Sequence, residues 1–196
     1  MIGICFGSQI IAQALGGIVE KMPVFTALAA NQIPIFIGKE VIDLRDEFFE
    51  KEFVKQVIDD FVEGSTDPHR YKEQLKIELC SLIVHAVHGE HVSVLPQDAV
   101  NLAYSDRTEN EIWMIGERVL AIQSHPEFNA SYIEELIINK MYDVGKLDDM
   151  QKDEVLQKLY DNDHYLTRNI LSLFIFNFIY QDNSHRDEGH VDAADK

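Results

Sequence analysis

Two short stretches carry residue types that can do covalent chemistry. The first is Gly3-Ile-Cys5-Phe-Gly7-Ser-Gln9, an apolar strand that breaks at a Gly-x-Cys-x-Gly corner into a helix expected over about Phe6 to Leu15. The spacing matches a nucleophile elbow, a strand-to-helix turn so sharp that small residues must flank it, which leaves the central side chain exposed. Gly3 and Gly7 supply the small flanks. Cys5 would sit at the helix N-terminus, where unpaired N–H groups and the helix dipole favour an anionic sulfur. By itself the Ile-Cys-Phe triple also suits a buried strand end with a small hydrophobic Cys, and both readings stay open on this stretch alone.

The second stretch is Gln123-Ser-His125-Pro-Glu127. Residues two apart on an extended segment point to the same side, and Pro126 prevents helix, so His125 and Glu127 are placed to act as a base and its orienting carboxylate. A lone His-x-Glu is also compatible with an exposed turn and an incidental ion pair. Joined to Cys5, the pair gives nucleophile, base and orienter in the order Cys5, His125, Glu127. His85, His88 and His91 are spaced three apart, which alternates faces on a strand, so no metal site is assigned to them. No Gly-x-Gly-x-x-Gly dinucleotide pattern is present.

These residues need elements to hold them. Ile18-Val-Glu20 reads as a short strand after Gly16-Gly17, residues 22–34 are small and apolar without period, and Ile35–Ile37 and Val41-Ile42 read as strand fragments around Gly38. Phe49, Phe53, Val57 and Phe61 recur every four residues among acidic neighbours, predicting one amphipathic helix over Asp46 to Val62. Gly64–Pro68 is loop chemistry. Strands are expected over Leu79–His88, Val92–Leu95 and Ala99–Tyr104, with Glu111–Ile115 and Val119–Ser124 forming a hairpin across Gly116-Glu117. The apolar run around Cys80 places that residue in the core. Helices follow over Ala130–Tyr142, closed by Gly145, then about Asp149–Tyr160 and Tyr165–Tyr180; Leu171, Phe174, Ile175, Phe178 and Ile179 form an apolar stripe that suits a core or a docking face.

Composition narrows the function. Seventeen basic against 34 acidic residues, a net charge of −17, argue against binding to nucleic acid or anionic membranes. Two cysteines in no metal-like or redox-like spacing suit free thiols in a reducing compartment. No apolar run approaches the ~20 residues of a membrane helix, and the expected location is the cytoplasm.

Taken together, Gly3-Ile-Cys-Phe-Gly-Ser-Gln9, His88-Gly-Glu-His-Val92 with Leu95-Pro96, and Ile122-Gln-Ser-His-Pro-Glu127 resemble the class I glutamine amidotransferases, and among them the free-standing proteins related to the GMP synthase glutaminase domain and to γ-glutamyl peptidases. The resemblance covers Met1 to about Tyr142. It implies that Cys5 attacks the side-chain amide of glutamine or a γ-glutamyl bond, giving a γ-glutamyl thioester and releasing ammonia or an amine. His125 would shuttle the proton, Glu127 would hold the imidazole, and Gln9, Gly7 and His88 would line the substrate. The backbone amide of Phe6 would be an oxyanion donor. No cofactor or metal is implied; the partners are glutamine or a γ-glutamyl compound and, for ammonia transfer, a synthase.

The fold expected is α/β: a doubly wound, mainly parallel, flavodoxin-like sheet with helices on both faces and the site at the carboxyl edge of the strands. Residues 1–144 would form the amidotransferase-like domain, 145–180 a helical extension, and 181–196 a disordered acidic tail. Against the family pattern the domain reads as N-terminally incomplete, lacking its first strands and the glycine-rich loop of the second oxyanion donor. Ser8 also replaces a usual His, and Glu90 a usual Asp. Two functions therefore stand side by side: an active amidotransferase or γ-glutamyl hydrolase, and a catalytically impaired relative or gene-model fragment that acts through protein interaction.

Overall fold

The computed structural model describes residues 1–22, 35–161 and 165–184. In it the apolar runs form strands and the four-residue periods form helices that cover them. The chain runs β1 (Ile2–Ile4), α1 (Phe6–Ala14), β2 (Ile18–Lys21), β3 (Phe36–Leu44), α2 (Asp46–Phe49), α3 (Glu52–Val62), α4 (Pro68–Glu78), β4 (Ser81–His88), β5 (Glu90–Val94), β6 (Ala99–Ser105), β7 (Ile112–Ile115) and β8 (Val119–Ile122). It continues through α5 (Ala130–Ile133), a π turn (Glu134–Ile138), α6 (Asn139–Asp143), α7 (Asp149–Tyr160) and α8 (Tyr165–Ser184).

Six strands form one sheet in the order β1-β8-β7-β6-β3-β4, and β2 pairs with β5 in a separate ribbon. The α/β class is as expected, but the balance of the sheet differs. Among the described residues only β1 and β8 pair in parallel; the other pairings are antiparallel. For β6, β7 and β8 the cause is their short connections, which permit hairpins but not crossovers. The β7–β8 turn is built on Gly116, whose φ of +52° is cheap only for glycine.

The sheet curls. Beyond the end of β8, the His125 amide donates to the His85 carbonyl of β4 at 2.8 Å, joining the chain after β8 to the far end of the sheet order. The curl brings the ends of β1, β4 and β8 together, and encloses buried Glu40, His88, Ser105 and Glu111.

The main core lies between the sheet and α2, α3 and α8. On α3, Phe53, Val54, Val57, Ile58 and Val62 turn inward at helical spacing. Phe174 and Phe178 of α8 meet Phe48 and Phe53 edge to face, with centroids 5.3 and 5.4 Å apart. The last helix is therefore packed into the same core as the sheet and is not a detached extension. Helix α7, begun by an Asp148–Gln151 capping box, covers a second cluster with Ile37, Ile133 and Ile138.

Several expectations need correction. The fragments around Gly38 are one continuous strand, β3. The helix expected over Asp46–Val62 is two, broken at Glu50-Lys51. An unexpected helix, α4, starts at Pro68, where Asp67 accepts from the Arg70 amide at 3.2 Å. Cys80 is exposed: it stands between α4 and β4, and Leu79 and Leu82 take the buried positions on either side. Helix α8 runs to Ser184, into the segment expected to be a disordered tail. The apolar stretch after Met22 and the tail beyond Ser184 fall outside the described residues.

Candidate active site

Cys5 occupies the corner between β1 and α1. Its φ of 49° and ψ of −108° put a residue with a side chain in a conformation that is sparsely populated, and such strain is held only where its surroundings fix it. Three bonds do so. The Cys5 amide donates to the Ile122 carbonyl of β8 at 2.7 Å, and the Cys5 carbonyl accepts from the Ser8 hydroxyl at 2.7 Å and the Ser8 amide at 3.0 Å. Gly3 is required at this corner, since a Cβ there would lie 2.6 Å from Ile11 Cδ1 and 2.7 Å from the Gly7 backbone. Gly7 is not constrained in this way: a Cβ would meet nothing within 4 Å.

The parallel β1–β8 register puts Ile4 beside Ile122, so the residues that follow each strand, Cys5 and Gln123, emerge at one edge. His125 comes next on the same extended segment. Its ring lies flat on Phe128, with centroids 4.1 Å apart and planes 2° from parallel, and Nδ1 is 2.7 Å from Glu127 Oε1. The ring also lies beside the Cys5 side chain, which interacts with it electrostatically. Burial disfavours the imidazolium, but the Cys5 and Glu127 contacts outweigh it and raise the His125 pKa to about 9.

A cleft of about 300 Å³ opens beside the sulfur, lined by Cys5, Gln9, Lys21, Ile35, His88, Gly89 and Glu90. Gln9 is buried, and its side-chain amide donates to the Glu90 carbonyl at 2.8 Å and to Gln123 Oε1 at 3.2 Å. His88 Nδ1 lies 3.1 Å from that same Glu90 carbonyl. Phe6, the first residue of α1, has an exposed side chain and a backbone N–H without an intrahelical acceptor. Of the residues singled out in the sequence, His125 and Glu127 are paired, Cys5 interacts electrostatically with the same ring, Cys5, Gln9 and His88 line the cleft, and Gly7 is outside its lining.

Sequence reasoning missed Gln123, which is fully buried, with Nε2 3.7 Å from the Cys5 sulfur. The Val87 carbonyl, 3.7 Å from the same sulfur, was equally unforeseen. Gln123 had a signal, because it stands two residues before His125 on the same extended segment. Val87 had none, because a backbone carbonyl is the same in every sequence.

The family model described as "Glutamine amidotransferase class-I" matches residues 1–144. The chain belongs to the class I glutamine amidotransferases. This amidotransferase chain is 31% identical to γ-glutamyl peptidase 4 of Arabidopsis thaliana over 137 residues, which cover 70% of this chain and 43% of that one. It is 27% identical to γ-glutamyl peptidase 2 of the same organism over 83% of this chain and 51% of that one. It thus spans about half the length of the curated relatives it matches. Among solved structures, a glutamine amidotransferase from Thermotoga maritima aligns with a TM-score of 0.57 at 19% identity, covering 91% of this chain and 61% of that one. One from Methylobacillus flagellatus gives 0.55 at 19%, with the same coverage. These two likenesses support the α/β fold of the family. No described helix is long and apolar enough to cross a membrane.

Proposed function

We propose that this amidotransferase hydrolyses the γ-amide bond of glutamine or of a γ-glutamyl compound through a Cys5–His125–Glu127 triad. The observation that carries the reading is the convergence of two groups on one imidazole: Cys5, which interacts electrostatically with the ring, and Glu127, 2.7 Å from Nδ1. An amide is a poor electrophile, so the reaction needs an activated nucleophile, a proton shuttle and an oxyanion donor together.

In this mechanism His125 takes the Cys5 thiol proton, the sulfur attacks the γ-carbonyl carbon and the carbonyl electrons move to oxygen, beside the Phe6 amide. Collapse breaks the C–N bond, and His125 gives its proton to the departing ammonia or amine, leaving a γ-glutamyl thioester. Water then attacks the thioester, His125 takes the water proton and returns it to the departing sulfur, and glutamate and the Cys5 thiol are released. Glu127 holds the imidazole orientation throughout. Gln9 and His88, both bonded to the Glu90 carbonyl, shape the wall on which the substrate lies. The names of the Arabidopsis relatives favour γ-glutamyl peptides as substrates, with the γ-glutamyl group going to water and the amine released free and not passed to a synthase.

The test is release of glutamate from glutamine and from a γ-glutamyl dipeptide, beside Cys5→Ala. Release that is lost in Cys5→Ala supports the reading. No release from the folded chain overturns it.

A further inference from the structure

Inside the curl of the sheet, Glu40 of β3, His88 at the end of β4 and Glu111 just before β7 place one ligand atom each within 4.8 Å of one another. All three side chains are at least nine-tenths buried. The geometry points to a divalent metal site formed by Glu40, His88 and Glu111, taking a first-row cation such as Mn²⁺ or Zn²⁺.

The hydrogen bonding leaves these atoms facing one another without a donor. The Glu90 carbonyl can only accept, so His88 Nδ1 carries a hydrogen and the neutral ring has Nε2 free to present a lone pair inward. Nε2 makes no hydrogen bond and lies 3.8 Å from Glu40 Oε2, which also makes none. That distance is outside hydrogen-bond reach. It is a spacing that two ligands of one ion can take, since two atoms each ~2.1 Å from a zinc ion and about a tetrahedral angle apart lie somewhat under 4 Å from one another. The other oxygen of Glu40 is already engaged, by the Ser105 hydroxyl at 2.8 Å and the Arg107 guanidinium at 3.6 Å. Ser105 also lies 3.1 Å from Glu111 Oε1, but its single hydroxyl hydrogen serves only one carboxylate at a time.

Charge argues the same way. Two buried carboxylates repel when both are ionised, and a divalent ion between them offsets that repulsion beyond what the Arg107 guanidinium, 3.6 Å from Glu40, supplies. One nitrogen and two carboxylate oxygens without a thiolate suit Mn²⁺ and Zn²⁺. The ion would tie β3, β4 and β7 together and, through the His88–Glu90–Gln9 bonds, stiffen one wall of the Cys5 cleft.

Titration of the chelator-stripped chain with Mn²⁺, followed by loss of the free-ion paramagnetic resonance signal, tests this directly. One ion per chain is expected, with affinity reduced at least 10-fold in Glu111→Gln and in Glu40→Gln, and retained in Cys5→Ala. Mn²⁺ is the chosen probe because thiolates hold it poorly. No stoichiometric binding by the unsubstituted chain, unchanged affinity in both Gln variants, or binding lost in Cys5→Ala would each overturn the proposal.

Discussion

The side-chain amide of Gln123 points its Nε2 at the Cys5 sulfur from 3.7 Å while its Oε1 accepts from Gln9. A donor at that position steadies negative charge on the sulfur and holds the cleft wall to the nucleophile strand. Gln123→Met keeps the volume and removes the donor. A neutral hydrogen bond contributes about 0.5–1.5 kcal/mol, so alkylation of Cys5 by iodoacetamide is expected to slow about 3- to 10-fold. An unchanged rate would show that the contact is passive.

His125 sets a pH dependence. Its folded pKa, about 9, lies above the ordinary histidine value: burial lowers it, but the contacts with Cys5 and Glu127 raise it more. The folded chain therefore binds more protons than the unfolded chain between those two values. The stabilisation is fully present below the unfolded pKa of about 6.5 and is lost as pH rises through about 9. Urea midpoints for the wild type and His125→Gln should lie farther apart at pH 6 than at pH 10. Equal separation at both would refute the raised pKa.

The two glycines of the elbow should respond oppositely. Gly3→Ala forces a Cβ against the Gly7 backbone, which cannot yield as a flexible side chain can. Such overpacking costs about 1–3 kcal/mol. Gly7→Ala meets open space in the first turn of α1 and is expected to be neutral or to gain up to about 1 kcal/mol from helix propensity. Denaturant unfolding of the two variants makes the comparison.

Phe174 is fully buried on α8 against Phe48. Phe174→Ala should cost about 3–5 kcal/mol, the range for deleting a core aromatic. If α8 were only an appendage, the sheet would unfold at the same urea concentration with or without that ring, and circular dichroism would read the difference.

The separation between what was legible in the sequence and what was not follows the range of the interactions involved. Local signals carried the elbow corner, the His125-x-Glu127 pair, the Gly116 hairpin and the capped helix α7, because each depends on residues within a few positions of one another. The amphipathic repeat of Phe49, Phe53 and Val57 marked a helical face, yet the break at Glu50-Lys51 left no clear sign in that spacing. Cys80 misled because hydrophobic neighbours say that a strand is buried, not which way one side chain at its start turns.

By itself the sequence determined the family, the order of the three motif blocks and the residue types able to do amide chemistry, since these are properties of short segments. Tertiary structure alone decided that the sheet curls and that α8 seals the main core. It also decided that Glu40, His88 and Glu111, far apart along the chain, converge in one buried pocket. Strand register and curl are collective outcomes of packing many side chains at once, and no single segment encodes them.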